Sequence, residues 1–225
     1  AELTYIPAGH PHPDEGSLIG GRAVETMLAE TAEGDVLLAL VSGGGSAMLE
    51  IPRGGISLPE LQALNGLLLR SGTPIEEINI VRSALSRIKS GGLARLAAPA
   101  RTVALILSDV VEDRLSSIAS GPTALRSPRP RLARQILEKH NLWTQVPRVI
   151  REALTVTPTT PAPTPRPINV LIGSNRVALD AAMQAASGLG FAPRVIRRRM
   201  TGEARIVGGL FGSRLTVTTP PACLL

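Results

Sequence analysis

An apolar run of strand length, Val36-Leu37-Leu38-Ala39-Leu40-Val41, breaks directly into Ser42-Gly43-Gly44-Gly45-Ser46-Ala47. A strand without polar interruptions belongs in the interior of a sheet rather than on a half-solvated face. A chain leaving the carboxyl end of such a strand through consecutive glycines brings bare main-chain N–H groups against an anion, because no Cβ intervenes. The pattern therefore reads as a cradle for phosphate or carboxylate. A glycine turn of purely steric origin is the competing reading, and the loop has neither the lysine and spacing of a P-loop nor a dinucleotide fingerprint.

Periodicity along the chain alternates between helix and strand, which predicts an α/β fold with a mainly parallel sheet. Residues 17–32 recur as apolar at helical spacing, with Ser17 as the expected N-cap. Ser57 and Pro59 open a helix through about Arg70 that Gly72 closes, and Pro74 opens another through about Arg87. Thr102-Val103-Ala104-Leu105-Ile106-Leu107 reads as a second buried strand ending at Ser108-Asp109. Asn169-Val170-Leu171-Ile172 reads as a third, ending at Gly173-Ser174-Asn175. The proline-threonine stretch from Thr155 to Pro165 is expected to be an extended surface connector, neither helix nor central strand.

Ligands of open α/β sheets bind beyond the carboxyl ends of the strands. Ser42–Ser46, Ser108–Asp113 and Gly173–Asn175 are accordingly expected to share one crevice. Asp109 and Asp113 suit Mg²⁺ or the orientation of a hydroxyl, since a hard cation bound with phosphates takes one or two carboxylates; the bland alternative for Asp113 is a helix cap. Lys89 stands before Ser90-Gly91-Gly92, where an ammonium reaches phosphate oxygens, and a solvated helix end is its alternative. His10 and His12 sit between prolines with no third ligand nearby in sequence, so a metal site there is not expected.

Composition narrows the partners. The net charge of +6 is carried almost wholly by arginine, as Lys89 and Lys139 are the only lysines, which suits anionic metabolites, membrane surfaces or nucleic acid. Tyr5, Trp143, Phe191 and Phe211 are too scattered for a base-stacking platform, and Arg197-Arg198-Arg199 reads as a solvated strand end. No apolar run approaches the roughly 20 residues of a membrane span and no signal segment opens the chain, so a cytoplasmic location is expected. Cys223 is the only cysteine, which leaves no internal disulfide or thiolate cluster.

Several stretches together resemble the glycerate 2-kinases of the MOFRL type, often labelled hydroxypyruvate reductases in tartrate operons. They are Gly9-His10-Pro11-His12-Pro13-Asp14-Glu15, Ser42–Ala47, the segment Asn79–Gly92 with Arg82, Ser86, Lys89 and Gly91, Ser108-Asp109-Val110, Ile118-Ala119-Ser120-Gly121-Pro122-Thr123 and Gly173-Ser174-Asn175-Arg176. The resemblance implies a Rossmann-like parallel sheet with flanking helices, an incomplete second (MOFRL) domain, and ATP-dependent phosphorylation of D-glycerate at its 2-hydroxyl with Mg²⁺. That chemistry is mostly positioning and charge neutralisation. The roles it implies are an anion cradle at Ser42, Gly43, Gly44, Gly45 and Ser46, charge neutralisation by Lys89, and metal binding or proton acceptance by Asp109 with Asp113. Ser120, Gly121, Thr123 and Asn175 complete the pocket wall. The reading from another class is a non-catalytic basic α/β module for anionic ligands or nucleic acid.

The expected organisation is a partial kinase-type α/β domain over 1–165, the start of the following α/β segment over 166–207, and an unmatched tail over 208–225. Relative to the resembling family, the opening portion with its lysine and the later glycine-rich segment with its arginine have no counterpart, so the chain is expected to be a fragment. Glu112 stands where that family has glycine, and Ala124-Leu125-Arg126 replaces an expected acidic residue. Apolar faces that pack against the absent elements are expected to be exposed, with self-association and poor turnover of glycerate as the consequences.

Overall fold

The computed structural model describes residues 3–156, 163–215 and 221–225. The chain divides into two compact units, Ala1–Ile106 with Arg114–Val170, and Leu107–Asp113 with Leu171–Leu225.

In the first unit, α1 (Glu15–Ala29) starts earlier than the apolar periodicity indicates, because Asp14 rather than Ser17 is its N-cap. The Asp14 carboxylate accepts from the Ser17 N–H at 3.0 Å and the Ser17 hydroxyl accepts from the Asp14 N–H at 3.0 Å, a reciprocal capping box. Main-chain N–H groups of Gly9 and then Ser17 hold the Asp14 carboxyl below its ordinary value. The strand β1 (Val36–Val41) leads into the one-turn helix α2 (Gly45–Met48).

The helix α3 (Leu58–Arg70) begins as expected at Ser57 with Pro59 in its first turn. The Glu60 carboxylate accepts from both the N–H and the hydroxyl of Ser57, at 2.8 and 2.7 Å. Gly72 follows with φ +70°, the left-handed turn that stops a helix. α4 (Ile75–Ala84) ends three residues before Arg87. Residues 85–87 are taken instead by 51–53: Arg53 N–H donates to Leu85 at 2.8 Å, Arg87 N–H donates to Ile51 at 2.8 Å, and Pro52 and Ser86 form an antiparallel bridge.

Next come the short helix α5 (Gly92–Leu96), β2 (Arg101–Leu107), α6 (Pro130–Lys139) and α7 (Arg148–Thr155). Thr155, read from sequence as the start of the extended connector, is the last residue of α7; residues 157–162 of that stretch lie outside the described residues. β1 and β2 pair in parallel from Val36 opposite Arg101 to Val41 opposite Ile106. With β3 (Ile168–Gly173) they form a three-stranded sheet in the order β1-β2-β3, the arrangement of an α/β fold.

The apolar core of this unit lies among α3, α4, α6 and α7, where Leu64, Leu68, Val81, Leu137, Ile150 and Leu154 are fully or almost fully buried. Lys139 and His140 both reach Glu77 across α4 and α6, at 2.7 and 2.6 Å; Lys139 first and His140 second hold the Glu77 carboxyl below its usual range. The sheet side contrasts with this sealing. β1, read from sequence as a strand of the sheet interior, instead stands at the edge of the sheet among the described residues and exposes Val36, Leu38 and Leu40; an unbroken apolar run does not by itself show that both faces of a strand are covered.

The second unit holds α8 (Asn175–Gly188), β4 (Ala192–Arg194), α9 (Ala204–Leu215) and β5 (Ala222–Leu224). β4 and β5 pair in parallel, with Ala192 opposite Ala222. The Arg197–Arg199 cluster lies on the surface as expected, Arg198 pairing with Asp180 at 3.1 Å and Arg199 with Glu112 at 3.6 Å. Among the described residues no helix is long and apolar enough to cross a membrane.

Candidate functional site

Three loops of the first unit meet at the carboxyl end of β1. The first is the glycine turn. Gly44 takes φ +82° as the N-cap of α2, a conformation that glycine adopts without strain. Gly45 is fixed by proximity, since a Cβ there would stand 3.0 Å from the Ala119 Cβ. The N–H groups of Gly43, Gly44 and Gly45 have no main-chain acceptor among the described residues.

The second loop runs from Ser86 to Gly92 and the third from Ile118 to Thr123. Main-chain bonds join them, from Ser90 N–H to Ser120 (3.0 Å), Gly91 N–H to Gly121 (2.6 Å) and Leu93 N–H to Pro122 (3.1 Å). Ser90, Gly91, Ala119, Ser120 and Gly121 all have positive φ, between 48° and 81°. Left-handed conformation at a non-glycine residue costs on the order of 1–3 kcal/mol and persists only where the surroundings over-determine it. Here the joined loops supply that constraint. The third loop is also tied to the first, as the Ser46 and Ser120 hydroxyls share a hydrogen bond of 2.7 Å. Thr123 anchors its far end, donating to the Asn169 side chain of β3 at 2.5 Å.

Lys89 is not a solvated helix end. It is 3% exposed, and its ammonium is ion-paired with Glu50, itself 7% exposed. The other Glu50 carboxylate oxygen accepts from the Ser86 hydroxyl at 2.6 Å and from the Ile51 N–H at 3.0 Å. A buried carboxylate needs this full set of donors. Arg82 lies close by, donating to Asn65 at 2.7 Å; burial pushes its guanidinium below the ordinary value and Glu50 opposes that shift. The bonds between 51–53 and 85–87 put Glu50 and Ser86 side by side.

Glu50 is the functional candidate that sequence reasoning missed. Its signal was an isolated acid in the run Ala47-Met48-Leu49-Glu50-Ile51-Pro52. A carboxylate flanked by apolar residues has to find a cation if it is buried.

Ser42, Gly43, Gly45, Lys89, Ala119 and Pro122 line one cavity of about 370 Å³, whose remaining wall is the apolar flank of α1 and β1 with Val24, Met27, Leu38 and Leu40. Of the residues singled out from sequence, Ser42, Gly43, Gly45 and Lys89 line this cavity, Ser46 and Ser120 are joined by their hydroxyl bond, and Gly44, Gly121 and Thr123 do not line it. The arrangement offers free N–H donors, a buried ammonium and a rigid backbone, which together can bind and orient an oxyanion.

The other candidates belong to the second unit. Ser108 N–H donates to Gly173 at 2.8 Å, which joins the loop after β2 to the loop before α8. Asp109 is exposed and Asp113 half-buried on that loop, Asp113 with φ +52° in a turn whose N–H donates to Val110 at 3.0 Å. No helix begins at Asp113, so it is not a helix cap. Asn175 opens α8 behind its N-cap Ser174, and its amide donates to the Arg198 carbonyl at 3.4 Å. Among the described residues no group of three or more His, Cys, Asp or Glu side chains is placed to hold a metal ion.

Comparison with known proteins gives this geometry a family. Residues 1–155 match the profile described as "Domain of unknown function (DUF4147)". The chain is 39% identical over 217 residues to a glycerate 2-kinase of Pyrococcus horikoshii, covering 94% of this chain and 49% of that protein. It is 41% identical over 218 residues to a D-glycerate 2-kinase of Thermotoga maritima, covering 94% and 50%. A crystal structure of glycerate kinase from Thermotoga maritima superposes with a TM-score of 0.78 at 36% identity, covering 96% of this chain and 53% of that one. The chain spans about half the length of the curated relatives it matches. The likeness in sequence and fold, carried over most of the chain, establishes that it belongs to the DUF4147 family and is similar to glycerate 2-kinases.

Proposed function

We propose that this chain carries part of the site of an ATP-dependent kinase that phosphorylates glycerate at its 2-hydroxyl. The observation that carries the reading is the single cavity bounded by Ser42, Gly43, Gly45, Lys89 and Ala119. The N–H groups of Gly43–Gly45 hold an oxyanion of the substrate or nucleotide, and the Lys89 side chain, ion-paired with Glu50, lines the same cavity and lowers the cost of gathering negative charge there. Ser46 and Ser120 fix the loop through their shared hydrogen bond so that the donors need no reorganisation as charge develops. Gly121 and Thr123 hold the wall in place, Thr123 through its bond to Asn169. The kinase names of the relatives support the substrate class.

Asp109 and Asp113 suit Mg²⁺, because both are carboxylates of one short loop with no ion pair among the described residues, and a magnesium ion needs only one or two such groups beside phosphate oxygens. When bound there, the ion would neutralise charge on the transferring phosphoryl group. Asp109 would also accept the proton of the substrate hydroxyl.

The test is ADP release that requires both ATP and glycerate. Asp109→Asn, an exposed substitution, is expected to reduce kcat by roughly 10²- to 10³-fold, as for other charge-stabilising groups, with the thermal unfolding midpoint unchanged. Release independent of glycerate, or equal turnover in the variant, would remove the assignment.

A further inference from the structure

A second hollow in the first unit shares no lining residue with the glycine-loop cavity. It encloses about 170 Å³ beside α4, between Asn79 on that helix and the turns at 114–117 and 126–129. Three arginines line it, Arg114, Arg126 and Arg129, beside Glu76, the one acidic residue in its lining. The remaining polar lining is neutral and includes the Ser116 and Ser117 hydroxyls. Among the described residues the side chains of Arg126, Arg129, Ser116 and Ser117 engage in no hydrogen bond or ion pair. Arginine on a protein surface ordinarily finds a carboxylate or scatters; here Arg126 and Arg129 line one concavity, their side chains with no hydrogen bond or ion pair among the described residues.

The backbone carrying them is fixed. Arg126 N–H donates to the Ser90 carbonyl at 3.3 Å. The Arg95 guanidinium bridges the carbonyls of Ser90, at 3.0 Å, and of Arg126. Gly91 lies so close under this turn that a Cβ would stand 2.6 Å from the Leu125 Cα. Arg114 begins a turn in which its carbonyl accepts from Ser117 N–H at 2.8 Å and Ile118 N–H at 3.3 Å. Fixed backbones with forked donors above them cut the entropy cost of gripping a planar or tetrahedral oxyanion.

We infer that this hollow is a binding pocket for the phosphate group of a small phosphorylated metabolite, separate from the site at Gly43–Gly45. The volume suits one small polar group. Guanidinium forks and neutral hydroxyls together match an acceptor that offers several oxygens, which favours phosphate over a monocarboxylate.

The experiment is calorimetric titration of the full chain with inorganic phosphate at fixed ionic strength, with acetate in parallel. Saturable phosphate binding is expected, weakened by about ten-fold or more in R126A/R129A and partly kept in R126K/R129K, since lysine retains charge but loses the fork. Both arginines are exposed, so the unfolding midpoint should stay in place; if the double variant does not fold, R129Q alone must weaken binding about three-fold. Absence of saturable binding, an unchanged constant in these variants, or acetate binding as tightly as phosphate would overturn the proposal.

Discussion

The helical side and the sheet side of the first unit are built on opposite principles. Among α3, α4, α6 and α7 the side chains of Leu68, Val81, Leu137 and Ile150 are wholly removed from water, and polar contacts are few beside them, as at Glu77 and between Arg82 and Asn65. On the sheet side, Leu38 and Leu40 of β1 are 58% and 75% exposed, and what holds the loops beyond the strand is a polar network of Glu50, Lys89, Ser86, Ser46 and Ser120. Non-directional burial suits the part that must only be stable. Directional bonds suit the part that must hold particular atoms in particular places, at the cost of desolvating a charge pair.

The largest effect should come from breaking that polar network. Lys89→Ala leaves the Glu50 carboxylate buried without its cation, which costs about 3–5 kcal/mol, read as a lowered midpoint in urea unfolding. Replacing both partners, Glu50→Gln with Lys89→Met, removes the unpaired charge and should recover most of the loss. If the single and double variants unfold together, the pair is not the element that organises these loops.

The apolar side should respond less steeply and without any such rescue. Leu137→Ala opens a cavity in a packed core and costs about 2–5 kcal/mol. Its effect should add to that of Lys89→Ala, because neither residue is a partner of the other. A strong departure from additivity in chemical denaturation would mean that the two sides melt as one structure.

The difference between the sides also explains what could be read from the sequence. The helices of the apolar core announce themselves through periodicity and end signals: Ser57, Pro59 and Gly72 mark α3 at both ends, because capping chemistry is local. Boundaries decided by distant partners were misread. The pattern carried α4 to Arg87, but 85–87 are claimed by the segment after Glu50, some 35 residues earlier in the chain. The N-cap of α1 shifted from Ser17 to Asp14 because two residues of the right chemistry stood three apart and only the reciprocal bond decides between them. The glycine turn and Lys89 were legible as candidates by residue type. The burial of Lys89 and the identity of its partner were not, since a salt bridge between residues 50 and 89 has no local signature.

The smallest effect on stability should follow from changing the open face of β1. Leu40→Lys exchanges an exposed apolar side chain for a charged one, and surface changes of this kind stay within about 0.5 kcal/mol. The consequence should lie in association instead. Val36, Leu38 and Leu40 are exposed along a strand that forms the edge of the sheet β1-β2-β3, and an edge strand offers unpaired main-chain groups as well as apolar area to another copy. A lysine on that strand opposes edge-to-edge pairing by charge and by solvation. Sedimentation of the Leu38→Lys and Leu40→Lys variants should therefore show less self-association than the parent chain at equal concentration, with the same urea midpoint. Unchanged association would mean that copies meet through some other surface. A large loss of stability would mean that Leu40 is covered in solution, and that the sheet side is sealed after all.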